Sequence, residues 1–417
     1  MRDAAGIRIV DASDRDAVDA LVSPRRRPNL AARRTAARLV AAVRRSGDRA
    51  VLRHARRLDG LAGPFEVSHA EMEAAAARVA PDVRRAIRTA ARHIAMVAER
   101  QRPGPWTVTP VAGVTVEQRV TPLESVGCYV PGGRHPLPSS LLMTAIPARV
   151  VGVPEIVAIC PRPAPAVLAA AIEARVTRFF RIGGAHGIAA LAYGTETIPR
   201  VEKIVGPGNA FVAAAKALVS ADCPIDFNAG PSEIVIVSTD GDPAWIAADM
   251  VAQAEHDPDA RALLLTPNRR LAHRTARQIE AHMPRTGPAR TALRRHGGIV
   301  VTRDIDEAVE LATRIAPEHL VCDRDDVARR ITRCGTVFVG PYSAQALGDY
   351  ATGSNHVLPT AGAARTRGGL SAADFVRVSS VQRVTRAGLR TIGPVAVTLA
   401  ETEGLERHAR SIAVRLP

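Results

Sequence analysis

The sequence predicts an α/β protein with two doubly wound domains that resemble incomplete Rossmann folds. Short β-prone runs alternate with helical stretches between residues 126 and 219, and a second such series runs from 233 to 339. Strands that alternate with helices form parallel sheets with helices on both faces. Helical patterns before and after these series predict a helical N-terminal region and a C-terminal helical arm.

The N-terminal region has recognisable helix and hairpin signals. Apolar residues recur at helical spacing over residues 31–57. Ser68 and Glu71 have the spacing of a capping box, in which each side chain bonds the other residue's amide. Residues 106–120 alternate apolar and polar side chains, which predicts a β-hairpin.

The two alternating series define the expected elements and domains. In the first series we expect strands at 127–130, 155–160, 177–182 and 203–205, with helices at 164–174, 187–193 and 209–219. In the second we expect strands at 233–237, 262–265, 298–301 and 336–339, with helices at 243–255, 269–282, 305–315 and 327–334. We therefore expect a first domain of residues 1–124 plus 232–370, a second domain of residues 125–231 and an arm of residues 371–417.

Composition disfavours several classes of protein. The 417 residues are 47% apolar and 23% charged, as in globular proteins. The formal charge of +15 comes from arginines scattered among alanines, without stacking aromatics or a nucleic-acid-binding motif. No run approaches the roughly 20 apolar residues of a membrane span. We expect neither a nucleic-acid nor a membrane partner.

Cysteine usage indicates a reducing compartment. The five cysteines are widely spaced and include no CxxC pair, so neither a disulfide framework nor a thiolate zinc site is expected. The N-terminus lacks the apolar region of a secretory signal. Both observations favour a cytoplasmic protein.

Two segments contain side chains suited to binding a metal. Gln253 and His256 are spaced i and i+3 near a helix end, so they share one face. Asp349 and His356 lie in the glycine-flanked segment 348–359. Each segment also has a purely structural interpretation. A His such as His256 suits a helix C-terminus, and an Asp such as Asp349 often bonds its own backbone in a turn.

Glu318 and His319 form a candidate acid–base pair. They follow Pro317 and precede the β-prone residues 320–322, so the entry to a strand would hold them rigidly. The alternative is an exposed charged turn.

Three glycine turns follow predicted strands. Residues 183–187 and 206–209 each open a helix, where backbone N–H groups bind anions, and Tyr129 begins a third turn that contains Gly132. None matches the G-x-G-x-x-G dinucleotide fingerprint. The residues alone indicate an α/β enzyme and leave both metal dependence and nucleotide binding open.

The order of these motifs resembles the histidinol dehydrogenase family. The resemblance covers most of the chain from about residue 126 to the C-terminus. The matching segments are YVPGG at 129–133, PSSLLM at 138–143, VGPGN at 205–209, AGPSE at 229–233, QAEH at 253–256, PEHL at 317–320 and GDYATGSNHVLP at 348–359.

The resemblance implies a zinc ion and a polar substrate. The implied metal ligands are Gln253, His256, Asp349 and His408. These four residues and His319 would also contact the substrate. Ser232, His356 and Glu403 complete the implied substrate-binding set, with Glu403 holding the amino group of the substrate.

The resemblance also implies the reaction and its bases. L-histidinol would be oxidised to L-histidine by two NAD molecules through a retained histidinaldehyde. His319 would remove the alcohol proton and Glu318 would activate water. A thiohemiacetal at Cys128 or Cys322 is not implied, since neither lies in a family catalytic motif, and both are expected to pack within strands.

The resemblance implies that NAD contacts Tyr129, His186 and Asn209. The family commonly has Gln where this chain has His186, and smaller residues where it has Arg134 and His135. The family also implies a homodimer in which the C-terminal arm completes the partner's site. The alternative substrate is another polar amino or sulfonated alcohol.

Overall fold

The structure is a computed structural model that describes residues 7–23, 29–132, 136–227 and 230–416. The strands of the described residues are β1 (Arg8–Asp11), β2 (Glu66–Val67), β3 (Trp106–Val111), β4 (Val114–Pro122), β5 (Ser125–Tyr129), β6 (Glu155–Ile159), β7 (Arg178–Phe180), β8 (Ile204–Val205), β9 (Glu233–Val237), β10 (Arg261–Thr266), β11 (Gly298–Val301), β12 (His319–Cys322), β13 (Thr336–Val339) and β14 (Val376–Val384).

The helices of the same residues are α1 (Arg15–Val22), α2 (Leu30–His54), α3 (His69–Ala77), α4 (Pro81–Gln101), α5 (Pro138–Val151), α6 (Pro165–Ala174), α7 (Gly184–Tyr193), α8 (Ala210–Val219), α9 (Pro243–Ala254), α10 (Arg269–His282), α11 (Pro288–His296), α12 (Ile305–Ile315), α13 (Asp325–Arg330), α14 (Ala346–Tyr350), α15 (Arg386–Thr402) and α16 (Glu406–Ala413). A π-helical turn, Ala55–Asp59, extends α2, and short 3-10 turns lie at Ala363–Arg365 and Ala372–Phe375.

The larger sheet has six parallel strands in the order β1-β11-β10-β9-β12-β13. Its central strands β9 and β10 are buried along their whole length, as expected when helices cover both faces. One face packs against α9, α10 and α11, and the other against α1, α12 and α13. This arrangement confirms the prediction of a doubly wound parallel sheet.

The second sheet has the order β2-β7-β6-β5-β8 and is parallel except at β2. The helices α3 to α6 cover one face, while α2, α7 and α8 cover the other. The helices of the N-terminal region therefore pack on this sheet. The domain boundaries drawn from the sequence stay a prediction, and this packing favours assigning residues 30–101 to the second unit.

The third sheet joins residues 106–122 to the C-terminal arm. The predicted hairpin forms from β3 and β4, and β14 pairs with β4 over nine residues, from Val376 opposite Pro122 to Val384 opposite Val114. The helices α15 and α16 follow β14 and pack against each other. The arm thus contains a strand that its helical pattern did not reveal.

Other sequence-based elements differ in detail. The helix expected at 327–334 is α13, which ends at Arg330, and the helices α5 and α11 were not predicted. The helix α5 is buried on nearly every side, so its apolar residues do not follow the spacing of an amphipathic helix. Only half of the capping box forms, since Ser68 accepts from the Glu71 amide while the Glu71 carboxylate pairs with Arg181. None of the described helices is both long and apolar enough to cross a bilayer.

Candidate active site

The predicted acid–base pair lies at the amino edge of the larger sheet. Glu318 immediately precedes β12, whose first residue is His319, and Glu233 begins the adjacent strand β9. The helix α9 returns to the same edge and delivers Gln253 and His256 there. Open parallel sheets usually bind ligands at the carboxyl edge, so this location departs from the common rule.

The carboxyl group of Glu318 is buried and held by two donors. The Ser232 hydroxyl donates to its Oε2 at 2.6 Å, and the backbone N–H of Glu233 donates to the same atom at 2.9 Å. Burial raises the pKa of Glu318 to about 8, although both donors act to lower it. The group therefore changes charge close to physiological pH, which suits a general base.

The imidazole of His319 is fixed in one tautomer. Its Nδ1 lies 3.2 Å from the carbonyl oxygen of Glu233, so Nδ1 carries the proton and donates. The other nitrogen, Nε2, is left as the basic atom. Burial holds the pKa of His319 below its ordinary value, although the negative charge of Asp349 acts in the opposite direction. A neutral imidazole next to Glu318 results.

Gln253 is a buried amide with one oxygen that has no partner. Its Nε2 donates to the Ser232 hydroxyl, but its Oε1 has no hydrogen-bond partner in the described part of the chain. A buried carbonyl oxygen without a donor is costly unless another group binds it. A divalent cation would supply that interaction.

Asp349 and His356 form the opposite side of the site. Nδ1 of His356 donates to the backbone oxygen of Asp349 at 3.1 Å and lies 3.8 Å from its carboxylate. The Gln345 amide donates to the other carboxylate oxygen at 3.0 Å. Burial lowers the pKa of His356, and the negative charge of Asp349 opposes that shift.

A segment of α5 closes the site from the second sheet. Nε2 of His356 lies 3.4 Å from the hydroxyl of Ser140, and the Asn355 amide donates to the backbone oxygen of Met143 at 2.7 Å. The loop after α14 therefore bridges the two sheets, with Asn355 as its anchor.

The predicted cofactor residues gather at the carboxyl edge of the second sheet. Tyr129 ends β5, and its hydroxyl accepts from the Gly184 N–H at 3.3 Å. His186 is completely buried, and its Nε2 lies 2.9 Å from a carboxylate oxygen of Asp59, which also accepts from the Gly183 N–H. Asp59 therefore connects the His186 ring to the turn at Gly183. The contact of His186 with NAD stays a prediction.

Asn209 caps the helix α8. Its side-chain oxygen accepts from the N–H groups of Phe211 and Val212, and the residue is exposed. The preceding turn needs glycine at position 206, since φ is +117° and a Cβ atom would collide with the Tyr129 carbonyl oxygen. Glycine at this position therefore lets the turn pack closely against the end of β5.

Glu403 and His408 lie apart from the other predicted residues. Both are exposed on the arm, one at the C-terminus of α15 and the other in α16. Where the structure describes the chain, no hydrogen bond or ion pair joins either to the other candidate residues. Accordingly, the described residues contain no group of three His, Cys, Asp or Glu side chains that could hold a metal.

Several contacts of the candidate site were not predicted from the sequence. Ser140 and Glu233 lie within the matching motifs, which was the available signal for both. Gln345 and Asp59 lie outside those motifs, and only the folded chain brings them to Asp349 and His186. The thiols of Cys128 and Cys322 pack within strands, as expected.

Comparisons with known proteins identify relatives over nearly the whole chain. The family model for histidinol dehydrogenase matches residues 24–416. Histidinol dehydrogenase from Rhizobium meliloti is 46% identical and covers 90% of this chain and 89% of its own length. That from Syntrophotalea carbinolica is 44% identical over 98% of this chain and 99% of its own. The crystal structure of the enzyme from Elizabethkingia anophelis superposes with a TM-score of 0.93 at 30% identity and covers 98% of both chains.

Proposed function

The chain belongs to the histidinol dehydrogenase family, and we propose that it oxidises L-histidinol to L-histidine through histidinaldehyde, with two hydride transfers to NAD. Family membership makes it an oxidoreductase of histidine biosynthesis that acts on a small molecule. The observation that supports the proposal most directly is the buried pair of Glu318 and His319 beside Asp349 and the Gln253 amide.

His319 is the proposed base of the first oxidation. Because Nδ1 is held by the Glu233 carbonyl, Nε2 is free to take the proton of the substrate hydroxyl as hydride leaves for NAD. Burial favours the neutral ring before the step. The aldehyde that results stays in the site.

Glu318 is the proposed base of the second oxidation. As a carboxylate it would take a proton from water as the water oxygen attacks the aldehyde carbon, and hydride would then leave the hydrated aldehyde for a second NAD. Ser232 and the Glu233 N–H hold Oε2, so the other oxygen is the one available to water. A pKa of about 8 makes this carboxyl a stronger base than an exposed one.

The residues at the amino edge fit a zinc ion. The free Oε1 of Gln253, the imidazole of His256 and the carboxylate of Asp349 are oxygen and nitrogen donors of the kind zinc accepts, and Gln345 orients the carboxylate. Zinc bound there would orient the imidazole and amine of histidinol. The fourth ligand is proposed to be His408 of the partner subunit, with Glu403 of the partner subunit at the substrate amine.

NAD is proposed to bind at the carboxyl edge of the second sheet. The N-termini of α7 and α8 lie beside the turns at Gly183 and Gly206, and the positive ends of these two helix dipoles suit a phosphate. Tyr129 and the NH₂ group of Asn209 border this region.

An exchanged arm in a homodimer would cover two exposed apolar surfaces. On the arm, Val395, Leu399 and Val414 are 61%, 59% and 66% exposed. Near the start of α9, Trp245 contacts Tyr342, and these side chains are 50% and 84% exposed. Contiguous exposed apolar groups indicate an interface. We also propose a cytoplasmic location, consistent with five free cysteines.

The test is NADH formation from L-histidinol by purified protein. The proposal predicts two NADH per histidine produced, loss of turnover after chelation and recovery with added zinc. Absence of turnover with histidinol, together with oxidation of another polar amino or sulfonated alcohol, would replace the substrate while keeping the reaction class. Unchanged turnover after complete metal removal would contradict the zinc assignment.

A further inference from the structure

A second concave surface, rich in arginine, lies along α2 and the π-helical turn that extends it. A groove of about 610 Å³ is lined by Arg49, Leu52, Arg53, Arg56 and Arg57. A cavity of about 330 Å³ adjoins it and shares two of these arginines. We call the two together the arginine groove. The further residues of its lining are Thr35, Arg38, Leu39, Ala42 and His54.

A kink at Gly47 forms the smaller cavity of the arginine groove. In a straight helix Arg38 and Arg53 would lie about 22 Å apart along the axis. Gly47 instead has φ of +45° and ψ of −134° within α2, so the two halves of the helix turn toward each other and line one cavity. The backbone after the kink is held by the Glu196 carboxylate, which accepts from the Asp48 N–H at 2.8 Å.

Within the described ranges, no carboxylate forms an ion pair with Arg38, Arg49, Arg53, Arg56 or Arg57. Other arginines of this region are paired, as Arg178 is with Glu66. Arg49, Arg53 and Arg57 recur at four-residue spacing, so their charges share one face and repel one another. Such a concentration of positive charge favours an anion.

His54 supplies an independent sign of a ligand. It lines the cavity, is only 8% exposed, and neither ring nitrogen has a hydrogen-bond partner among the residues described. Buried polar atoms normally have partners. The hydroxyl of Thr35 on the opposite wall adds another possible donor.

We propose that the arginine groove binds a phosphate-bearing small molecule, with the phosphate groups held by Arg38, Arg53 and Arg57. Guanidinium groups match phosphate oxygens two bonds at a time, which suits a di- or polyphosphate better than a monovalent anion. The volume of the groove and cavity lies in the range of small-molecule sites.

The groove also has a physical connection to the predicted cofactor turn. The rings of His54 and His186 lie 6.0 Å apart, and Asp59, which ends the π-helical turn after Arg57, accepts from the Gly183 N–H. The phosphate could therefore belong to a free metabolite or to a dinucleotide seated on that turn. The first source is independent of the proposed function, while the second rests on it.

Calorimetric titration of the full chain with inorganic pyrophosphate at low ionic strength tests the site. Saturable binding of one pyrophosphate per chain is expected. The double variant R53Q/R57Q should weaken that binding at least about tenfold, because each lost guanidinium removes charge-assisted hydrogen bonds. Both residues are exposed, so the fold should survive, which circular dichroism can verify.

The matched control is R84Q/R85Q, which removes the same charge from exposed residues of α4 outside the groove. It should leave the affinity within about threefold, since these two residues do not line the groove and cannot form the charge-assisted hydrogen bonds to pyrophosphate. Equal weakening by both double variants, or no saturable binding, would overturn the proposal. Repeating the titration with saturating NAD assigns the source, because competition indicates dinucleotide phosphates and unchanged binding indicates a free anion.

Discussion

The hydroxyl of Ser232 lies 2.6 Å from Oε2 of Glu318 and donates a hydrogen bond to it. The same hydroxyl accepts from the amide of Gln253. One small side chain therefore connects the proposed general base to the proposed metal ligand. Metal binding at Gln253 would therefore affect the Glu318 carboxyl through the Ser232 hydroxyl, and a change in the charge of Glu318 would affect the Gln253 amide.

Removing this hydroxyl should change the pH dependence of the second oxidation. The active form of Glu318 is the carboxylate, so the rate should rise with pH through its pKa, about 8 in the native chain. The Ser232 donor lowers that pKa, so S232A should move the half-maximal rate upward by about one pH unit, the equivalent of one hydrogen bond. The measurement is kcat against pH with histidinaldehyde as substrate.

The control for this variant is S238A. Ser238 follows the same strand, β9, but donates to Asp323 at 2.8 Å, away from Glu318. Its pH profile should match that of the unmodified protein. A parallel shift in both variants would show that the effect is a general loss of packing.

The NADH formed per site should distinguish the roles of the two proposed bases, His319 and Glu318. H319N removes the base of the first step, so turnover of histidinol should fall by roughly 10²- to 10⁴-fold with zinc content unchanged. E318Q keeps that base and should stop at the aldehyde, giving one NADH per site in a single turnover. Two NADH per site from E318Q would refute its assignment to water activation. Loss of zinc in H319N would refute the role given to His319.

Gln345 should tune metal affinity without binding the metal. Its amide orients the Asp349 carboxylate through a 3.0 Å hydrogen bond and is itself buried. Q345A should weaken zinc binding by about 10- to 100-fold, the usual effect of losing an outer partner of a ligand. Competition with a fluorescent chelator measures the change. The control is Q278A, because Gln278 lies on α10, which packs on the larger sheet. This substitution should leave the zinc affinity unchanged.

The sequence predicted most of the fold because its elements have clear local signals. The strands β9 and β10 are continuous apolar runs, and α10 and α12 have strong helical periods. In contrast, α5 has no amphipathic period because every side is buried, and β14 has no apolar alternation because it is largely exposed. Both elements depend on tertiary contacts that no local pattern contains.

The sequence predicted individual residues of the candidate site, but it did not predict how they come together. Spacing indicated that Gln253 and His256 share a helix face, and Pro317 indicated a rigid entry for Glu318. Their meeting at the amino edge depends on the register of β12 with β9, which pairs His319 with Ile234. That long-range pairing is invisible in a single sequence.

The buried pair of Lys216 and Asp226 should stabilise the turn at Gly206. Lys216 donates to the Gly206 carbonyl at 2.9 Å and pairs with Asp226, which accepts from the Gly206 N–H at 2.8 Å. K216M leaves a buried carboxylate without its cation, so the free energy of unfolding should fall by about 3–5 kcal/mol. The KM for NAD should rise as the turn loosens. Chemical denaturation and initial rates measure the two effects.

A less buried lysine provides the comparison for K216M. Lys203 pairs with Asp374 at 3.3 Å, but Arg367 lies 3.2 Å from the same carboxylate oxygen and would remain as its partner. K203M should therefore destabilise the chain by less than half as much and leave the KM for NAD unchanged. Equal losses in the two variants would show that the buried pair has no special role at the turn.

Subunit exchange tests whether the arm acts across a dimer. Chains with H408N lack the proposed zinc ligand on the arm, and chains with H319N lack the base of the first step, so each homodimer should be nearly inactive. If the arm reaches the partner's site, a mixed dimer has one site with both substitutions and one with neither. Co-refolding the two inactive chains should then restore about half of the native activity per mixed dimer, since half of its sites are intact.

If the arm acts within its own chain, every site of the mixed dimer retains one substitution, and mixing restores nothing. The exposed positions of Glu403 and His408, without described contacts to Asp349 or His256, lead us to expect recovery. Mixing H408N with H256N provides the second test, because both residues are proposed ligands of one zinc. In the exchanged arrangement, zinc bound per mixed dimer should rise from near zero to about one, while mixing either variant with itself leaves it unchanged.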